Sequence, residues 1–139
     1  MNSFASDPSW NETAGATRAV IAGHGDFAVG IVSAVQQITG MSTVFSAVSS
    51  IGLTGADIET SLAQALDASG AGVLFTDLPA GSCTMAARRL QRSRPGLVLV
   101  TGVNLGTALE FAFRPAGESD LDSANAAVEK GRATLVVHR

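Results

Sequence analysis

The chain predicts an α/β fold, a doubly wound and mostly parallel central sheet with helices on both faces. Three observations carry this. Short apolar runs recur along the chain, and they are continuously apolar rather than alternating, as strands buried on both faces require. Stretches with helical periodicity lie between them. Glycine, proline and small polar residues mark nearly every junction.

Residues 1–16 are small and polar, with Pro8 and Gly15, and read as a loose tail whose one anchor candidate is Trp10. Residues 17–139 read as one folded domain. The first strand covers 18–22, Arg-Ala-Val-Ile-Ala. A helix follows, with Phe27, Ile31, Val35 and Ile38 on one stripe and Gly40 as its stop. Residues 43–48 form a second strand, weakened by Ser46 and Ser49. Residues 55–68 form a helix with Ile58, Leu62, Ala65 and Leu66 on one face and Gly70 past its end. The third strand is 72–76, followed by a helix over 83–91 that Ser82 is placed to cap. Pro95-Gly96 turns the chain into a fourth strand at 97–100, and a helix follows over 105–113. Ser119 caps a last helix that runs to Lys130 and stops at Gly131. Residues 133–137, Ala-Thr-Leu-Val-Val, form a fifth strand candidate, antiparallel at a sheet edge of its own subunit or of a neighbour's.

Composition narrows the function. The chain has 139 residues, 46% hydrophobic and 15% charged, with a net charge of −3. It shows no basic stripe with interleaved aromatics, which argues against nucleic acid as a partner. The single cysteine, Cys83, allows no internal disulfide and fits a reducing compartment. No apolar run approaches the roughly 20 residues of a membrane span, so no direct membrane insertion is expected. The first residues lack the basic and apolar regions of a signal peptide. The expected location is the cytoplasm. Two histidines and one cysteine far apart make no metal site, and no phosphate-loop or dinucleotide glycine motif is present. No cofactor is expected.

The strand ends hold the polar chemistry. His24 sits between Gly23 and Gly25, where the first strand gives way to a helix. In open α/β sheets such turns at the carboxyl ends of strands are where ligands collect. Asp77 follows the third strand and Asn104 the fourth, so the three side chains converge on one rim if these strands are neighbours. A carboxylate bonded to one ring N–H fixes the tautomer and leaves the other nitrogen as a free lone pair, suited to nucleophilic attack. The helix start near Gly81 and Ser82 offers backbone N–H groups for phosphate. An oriented imidazole facing an anion cradle suggests a histidine that carries a phosphoryl group. Each residue also has a plainer reading. His24 can pack locally, Asp77 and Ser82 can cap, Asn104 can stabilise a turn, Cys83 reads as a small buried hydrophobe, and His138 as an exposed end. Arg88, Arg89, Arg92 and Arg94 read as a solvated helix face, with an acidic partner as the alternative.

At these positions the chain resembles a known family. Gly23-His24-Gly25-x-Phe27-Ala28-x-Gly30, Phe75-Thr76-Asp77-Leu78-Pro79-Ala80-Gly81-Ser82 and Thr101-Gly102-Val103-Asn104-Leu105 are similar, in order and spacing, to three motifs of the mannose-type enzyme IIA. That family belongs to the bacterial phosphoenolpyruvate-dependent sugar phosphotransferase system. The wording is closest to members serving N-acetylgalactosamine-type transporters. The resemblance implies that His24 accepts a phosphoryl group from phospho-HPr and passes it to an enzyme IIB domain, working with the membrane components IIC and IID. It implies that Asp77 orients His24, that Gly25, Ala80, Gly81 and Ser82 hold the phosphate, and that Asn104 lies at the rim. It implies a homodimer that exchanges the last strand. Ala80 stands in place of a family glycine and Cys83 in place of a proline. Two other readings stay open, a phosphocarrier subunit of a dihydroxyacetone kinase and a phosphohistidine-based regulatory or binding module.

Overall fold

A computed structural model describes residues 16–139. The expected tail, with Trp10, lies outside the described residues apart from Ala16. Four strands, β1 (Ala19–Gly23), β2 (Phe45–Ser49), β3 (Val73–Thr76) and β4 (Val98–Thr101), form one sheet in the order β2-β1-β3-β4. Every pairing is parallel. Five helices connect and follow them: α1 (Phe27–Thr39), α2 (Gly55–Ser69), α3 (Ser82–Ser93), α4 (Leu105–Phe113) and α5 (Asp120–Ala133). Among the described residues, no helix is long and apolar enough to cross a membrane.

The sheet is covered on both faces, and successive strand residues divide between them as the pleat requires. Ile21, Val73 and Phe75 face Val35 of α1, Phe111 of α4 and Ala127 of α5. Val20, Ala22 and Leu74 face Ile58 and Leu62 of α2 and Ala86 and Leu90 of α3. The first layer is centred on three rings. Phe75 meets Phe111 edge-on at 5.1 Å and Phe45 at 6.0 Å between centroids. Burial of a side chain of this size stabilises the fold by about 1.5–3 kcal/mol.

Local signals set most boundaries. Thr54 and Asp57 form a reciprocal capping box at the start of α2. Asn104 and Ser119 cap α4 and α5 through side-chain oxygens that accept from Thr107 and Asp122 amides. The chain runs from β1 outward to β2, then crosses back to β3 on the other side of β1. The direction of winding therefore reverses between β1 and β3, and the crevice opens at their carboxyl ends.

Two expectations need correction at the C-terminus. Gly131 does not stop the last helix, which continues to Ala133. Gly131 is buried there because α5 crosses α4 closely. A Cβ on it would overlap Thr107 Oγ1 and come within 2.9 Å of Asn104 Oδ1. Residues 133–137 form no strand in this chain. Ala133 ends the helix, and the Thr134 hydroxyl donates back to the Gly131 carbonyl at 2.7 Å. Leu135 and Val137 are 82% and 90% exposed. An apolar run reports strand propensity, but a strand needs a ladder partner, and among the described residues no strand pairs with this segment.

The close crossing makes a stability prediction. Gly131→Ala removes a helix-interior glycine, which alone favours the fold, but it forces a methyl group into Thr107. Overpacking of this kind typically costs about 1–3 kcal/mol. The urea midpoint should fall with an unchanged slope, and a midpoint at or above wild type would show that the crossing has slack.

Candidate functional site

The two central strands deliver His24 and Asp77 to the same place. His24 follows Gly23, the last residue of β1, and Asp77 follows Thr76, the last of β3. In the β1–β3 register Ala22 lies opposite Thr76. One carboxylate oxygen, Asp77 Oδ2, accepts from the His24 backbone N–H at 2.9 Å and from the ring Nδ1 at 2.7 Å. A carboxylate in this role only accepts, so the proton sits on Nδ1 and Nε2 carries the free lone pair. The His24 side chain is 51% exposed, while Asp77 is 10% exposed beneath it.

Gly23 makes this closeness possible. A Cβ there would lie 2.8 Å from Phe27 Cδ2 and 3.2 Å from Asp77 Oδ2. The turn is tied from the neighbouring strand as well. Ser49 Oγ donates to the Gly25 carbonyl at 2.9 Å, and the Ser50 amide donates to the Gly23 carbonyl at 3.2 Å. Sequence reasoning reads Ser49 only as a weak strand residue. Its role follows from β2 lying beside β1, which no local pattern reveals.

Burial raises the Asp77 carboxyl, but the hydrogen bonds from the His24 amide and ring outweigh it, leaving the group below the ordinary carboxylate range. Asp77 thus stays ionised under His24.

The start of α3 closes the other side. Ser82 does not cap this helix. Gly81 occupies the cap position, at φ 129°, and supplies no side-chain bond. Only glycine readily adopts such a φ. Ser82 is the first helical residue, and its hydroxyl reaches toward His24 Nε2 at 3.5 Å. Gly81 is close too, since a Cβ there would sit 3.6 Å from His24 Cε1. The lone pair of Nε2 therefore points toward a helix N-terminus without a side-chain cap, a setting that favours anions. Ala80 is exposed and, like every non-glycine described residue, avoids positive φ. The glycine-specific backbone falls one residue later, so the alanine introduces no strain. Gly25 lies exposed on the His24 turn at φ 51°.

Asn104 is not turned to this group. Its Oδ1 accepts from the Thr107 amide and hydroxyl, and its Nδ2 donates to the Gly131 carbonyl at 3.1 Å. It caps α4 and locks α5 onto it. Cys83 is 1% exposed in the core against α2, and burial pushes its thiol up. Arg89 and Arg94 bind Glu59 and Asp67 at 2.6 and 2.8 Å, joining α3 to α2, while Arg88 and Arg92 are exposed. His138 is exposed beyond α5. Among the described residues, no group of three or more His, Cys, Asp or Glu is placed to hold a metal ion.

Known structures share this architecture. The chain is similar to phosphotransferase system component EIIA from Streptococcus agalactiae, with a TM-score of 0.77 at 19% identity, over 87% of this chain and 96% of that one. It is similar to the mannose/sorbose specific IIA subunit from Enterococcus faecalis, with a TM-score of 0.77 at 21% identity, over 89% and 96% of the two chains. A IIA protein associated with the fucose utilization operon of Streptococcus pneumoniae gives 0.69 at 19% identity, over 88% and 93%. No curated protein matches by sequence. The fold is thus that of phosphotransferase system IIA components. The chain belongs to the mannose-type EIIA family, described as PTS system fructose IIA component, whose model matches residues 18–129.

Proposed function

We propose that the chain is a phosphocarrier that accepts a phosphoryl group on His24 from phospho-HPr and passes it to an enzyme IIB domain. The observation that carries this is one geometry: Nδ1 held 2.7 Å from the Asp77 carboxylate, with Nε2 turned toward Ser82 at the open N-terminus of α3. Nε2 attacks the phosphorus of the donor's phosphohistidine. The new N–P bond forms as the donor's N–P bond breaks, and that electron pair returns to the donor ring. Nδ1 keeps its proton, and Asp77 stabilises the positive charge the ring takes on. The Ser82 hydroxyl and the amides of residues 80–82, with Gly25 on the facing turn, receive the phosphate oxygens. Transfer to IIB reverses these steps with a new acceptor, and IIB then serves the membrane components IIC and IID in coupled sugar uptake. The reaction belongs in the cytoplasm, needs no metal or nucleotide at this site, and suits an N-acetylgalactosamine-type system. Incubation with phosphoenolpyruvate, enzyme I and HPr should give an acid-labile, base-stable phosphate on the chain. Transfer from purified phospho-HPr should survive chelator.

The reading includes a homodimer. Exposed Leu135 lies beside the outer edge of β4, whose residues Val98, Leu99 and Val100 are half-buried, and Val137 is exposed two residues further on. A cleft lined by Val100, Val103, Val128 and Leu135 runs beside that edge. Open edges invite pairing, and a symmetric exchange of tails covers both at once. Light scattering should give a dimer for the full chain and a monomer for a version ending at Thr134. A full chain that stays monomeric at high concentration would remove the exchange.

A further inference from the structure

We propose that Thr76 and Thr84 form a hydroxyl relay that positions Asp77 for its work on His24; this rests on the phosphocarrier reading above. Thr76 is fully buried and Thr84 is 1% exposed. Their Oγ1 atoms lie 2.7 Å apart. The Thr84 hydroxyl donates to the Leu78 carbonyl. Its single hydrogen is thereby used, so Thr76 is the donor to Thr84. The relay runs from the last residue of β3, through the first turn of α3, to the backbone of the loop between them.

Its place in the chain gives it meaning. Asp77 has Thr76 on one side and Leu78 on the other, and the relay pins both. Thr84 lies two residues past Ser82, so the same hydroxyl sets the distance between the carboxylate and the start of α3. Among the described residues the Leu78 carbonyl is held by the Thr84 hydroxyl, and the Leu78 side chain is half exposed. Two buried hydroxyls in an otherwise apolar layer must each find a partner, and here each partner constrains the loop that carries Asp77. Asp77 Oδ2 meets two donors at once, and that bifurcated contact tolerates little displacement. Thr76 and Thr84 are positioning residues, since neither touches the imidazole.

Thr84→Val keeps the shape and deletes the relay. Thr84→Ser keeps the relay. Misplacement of a reacting group by about 1 Å can cost 10²-fold in rate. For the valine variant we expect the rate of phosphoryl transfer from phospho-HPr at saturating donor to fall about 10-fold or more, with little change in the half-saturating concentration. We also expect the ring nitrogens of His24, read by ¹⁵N NMR without any donor, to move from a single Nδ1–H form toward a mixture of tautomers. The serine variant should restore both. Wild-type rate and wild-type ring signals in a folded Thr84→Val protein would overturn the proposal. So would loss of rate without any change at the ring. If the valine variant fails to fold, Thr76→Val, which cuts only the first link, carries the same two tests. The ring signals separate the two readings, because a wild-type chain that accepts no phosphoryl group would refute the carrier and leave the relay measurable.

Discussion

His24→Ala should abolish phosphoryl uptake. The variant should fold as wild type does, because the side chain is half exposed and packs into neither core layer. Among the described residues the His24 imidazole offers a nitrogen lone pair that faces solvent and is backed by a largely covered carboxylate. The other histidine, His138, stands exposed among the last residues without a hydrogen-bonded carboxylate among the described residues. Labelling with phosphoenolpyruvate, enzyme I and HPr should therefore leave the variant unlabelled above background, with unchanged circular dichroism and only a small fall in thermal midpoint from loss of the Nδ1–Asp77 hydrogen bond. Phosphate found on His138, or full labelling of the variant, would falsify the assignment of His24.

Asp77→Asn should leave some labelling and slow it steeply. An amide oxygen placed where Oδ2 sits can still accept from the His24 amide and ring. The flipped amide instead presents NH₂ to Nδ1, selects the opposite tautomer and removes the lone pair from Nε2. Neither orientation supplies the negative charge that opposes the cationic phosphoimidazole. Acid–base and orienting groups contribute typically about 10²–10⁴-fold, and a loss in that range is expected in stopped-flow transfer from phospho-HPr. A wild-type rate would take Asp77 out of the chemistry. The same substitution has a pH signature. The folded carboxyl lies below its ordinary range, so its contribution to stability is present in full above that range and is lost as pH falls through the lowered value. The stability gap between wild type and Asp77→Asn should accordingly be widest near neutrality and close on acidification. A gap that widened toward low pH would reverse the sign of the interaction.

Much of this site is legible in the amino-acid order. Parallel strands must be short, apolar and followed by turns, so the residues after Ala22 and Thr76 are natural candidates for chemistry. The amino-acid order leaves open whether β1 and β3 are neighbours, and the strand order β2-β1-β3-β4 brings them together. What the order hides is set by geometry at a distance. Ser82 has the composition of a cap, but whether a residue caps or begins a helix depends on backbone angles, and here Gly81 takes the turn. Asn104 shares the strand-end position of His24 and Asp77, yet α5 lies against it and uses its amide. Gly131 looks like punctuation and is a point of contact between helices. Leu135 to Val137 have the character of a strand, and character without a neighbour forms none. Thr84 is unremarkable in the sequence because its partner, eight residues away, becomes its neighbour only once β3 and α3 fold together.

The exposure of His24 has a kinetic consequence. Half of its side chain is open to solvent, and on the phosphocarrier reading proposed above the same Nε2 meets both the giver and the taker of the phosphoryl group. Two globular proteins cannot share that one atom at the same moment, so their visits exclude each other. The chain must release the first before it can greet the second, and between visits it travels alone with its cargo in water. Flux should then show the parallel double-reciprocal lines of a ping-pong shuttle when one partner is titrated at several fixed levels of the other. Excess unphosphorylated donor should act as a competitor of the acceptor. The lifetime of the loaded histidine in water, set against the interval between encounters, fixes how scarce the acceptor can become before phosphate leaks away unused.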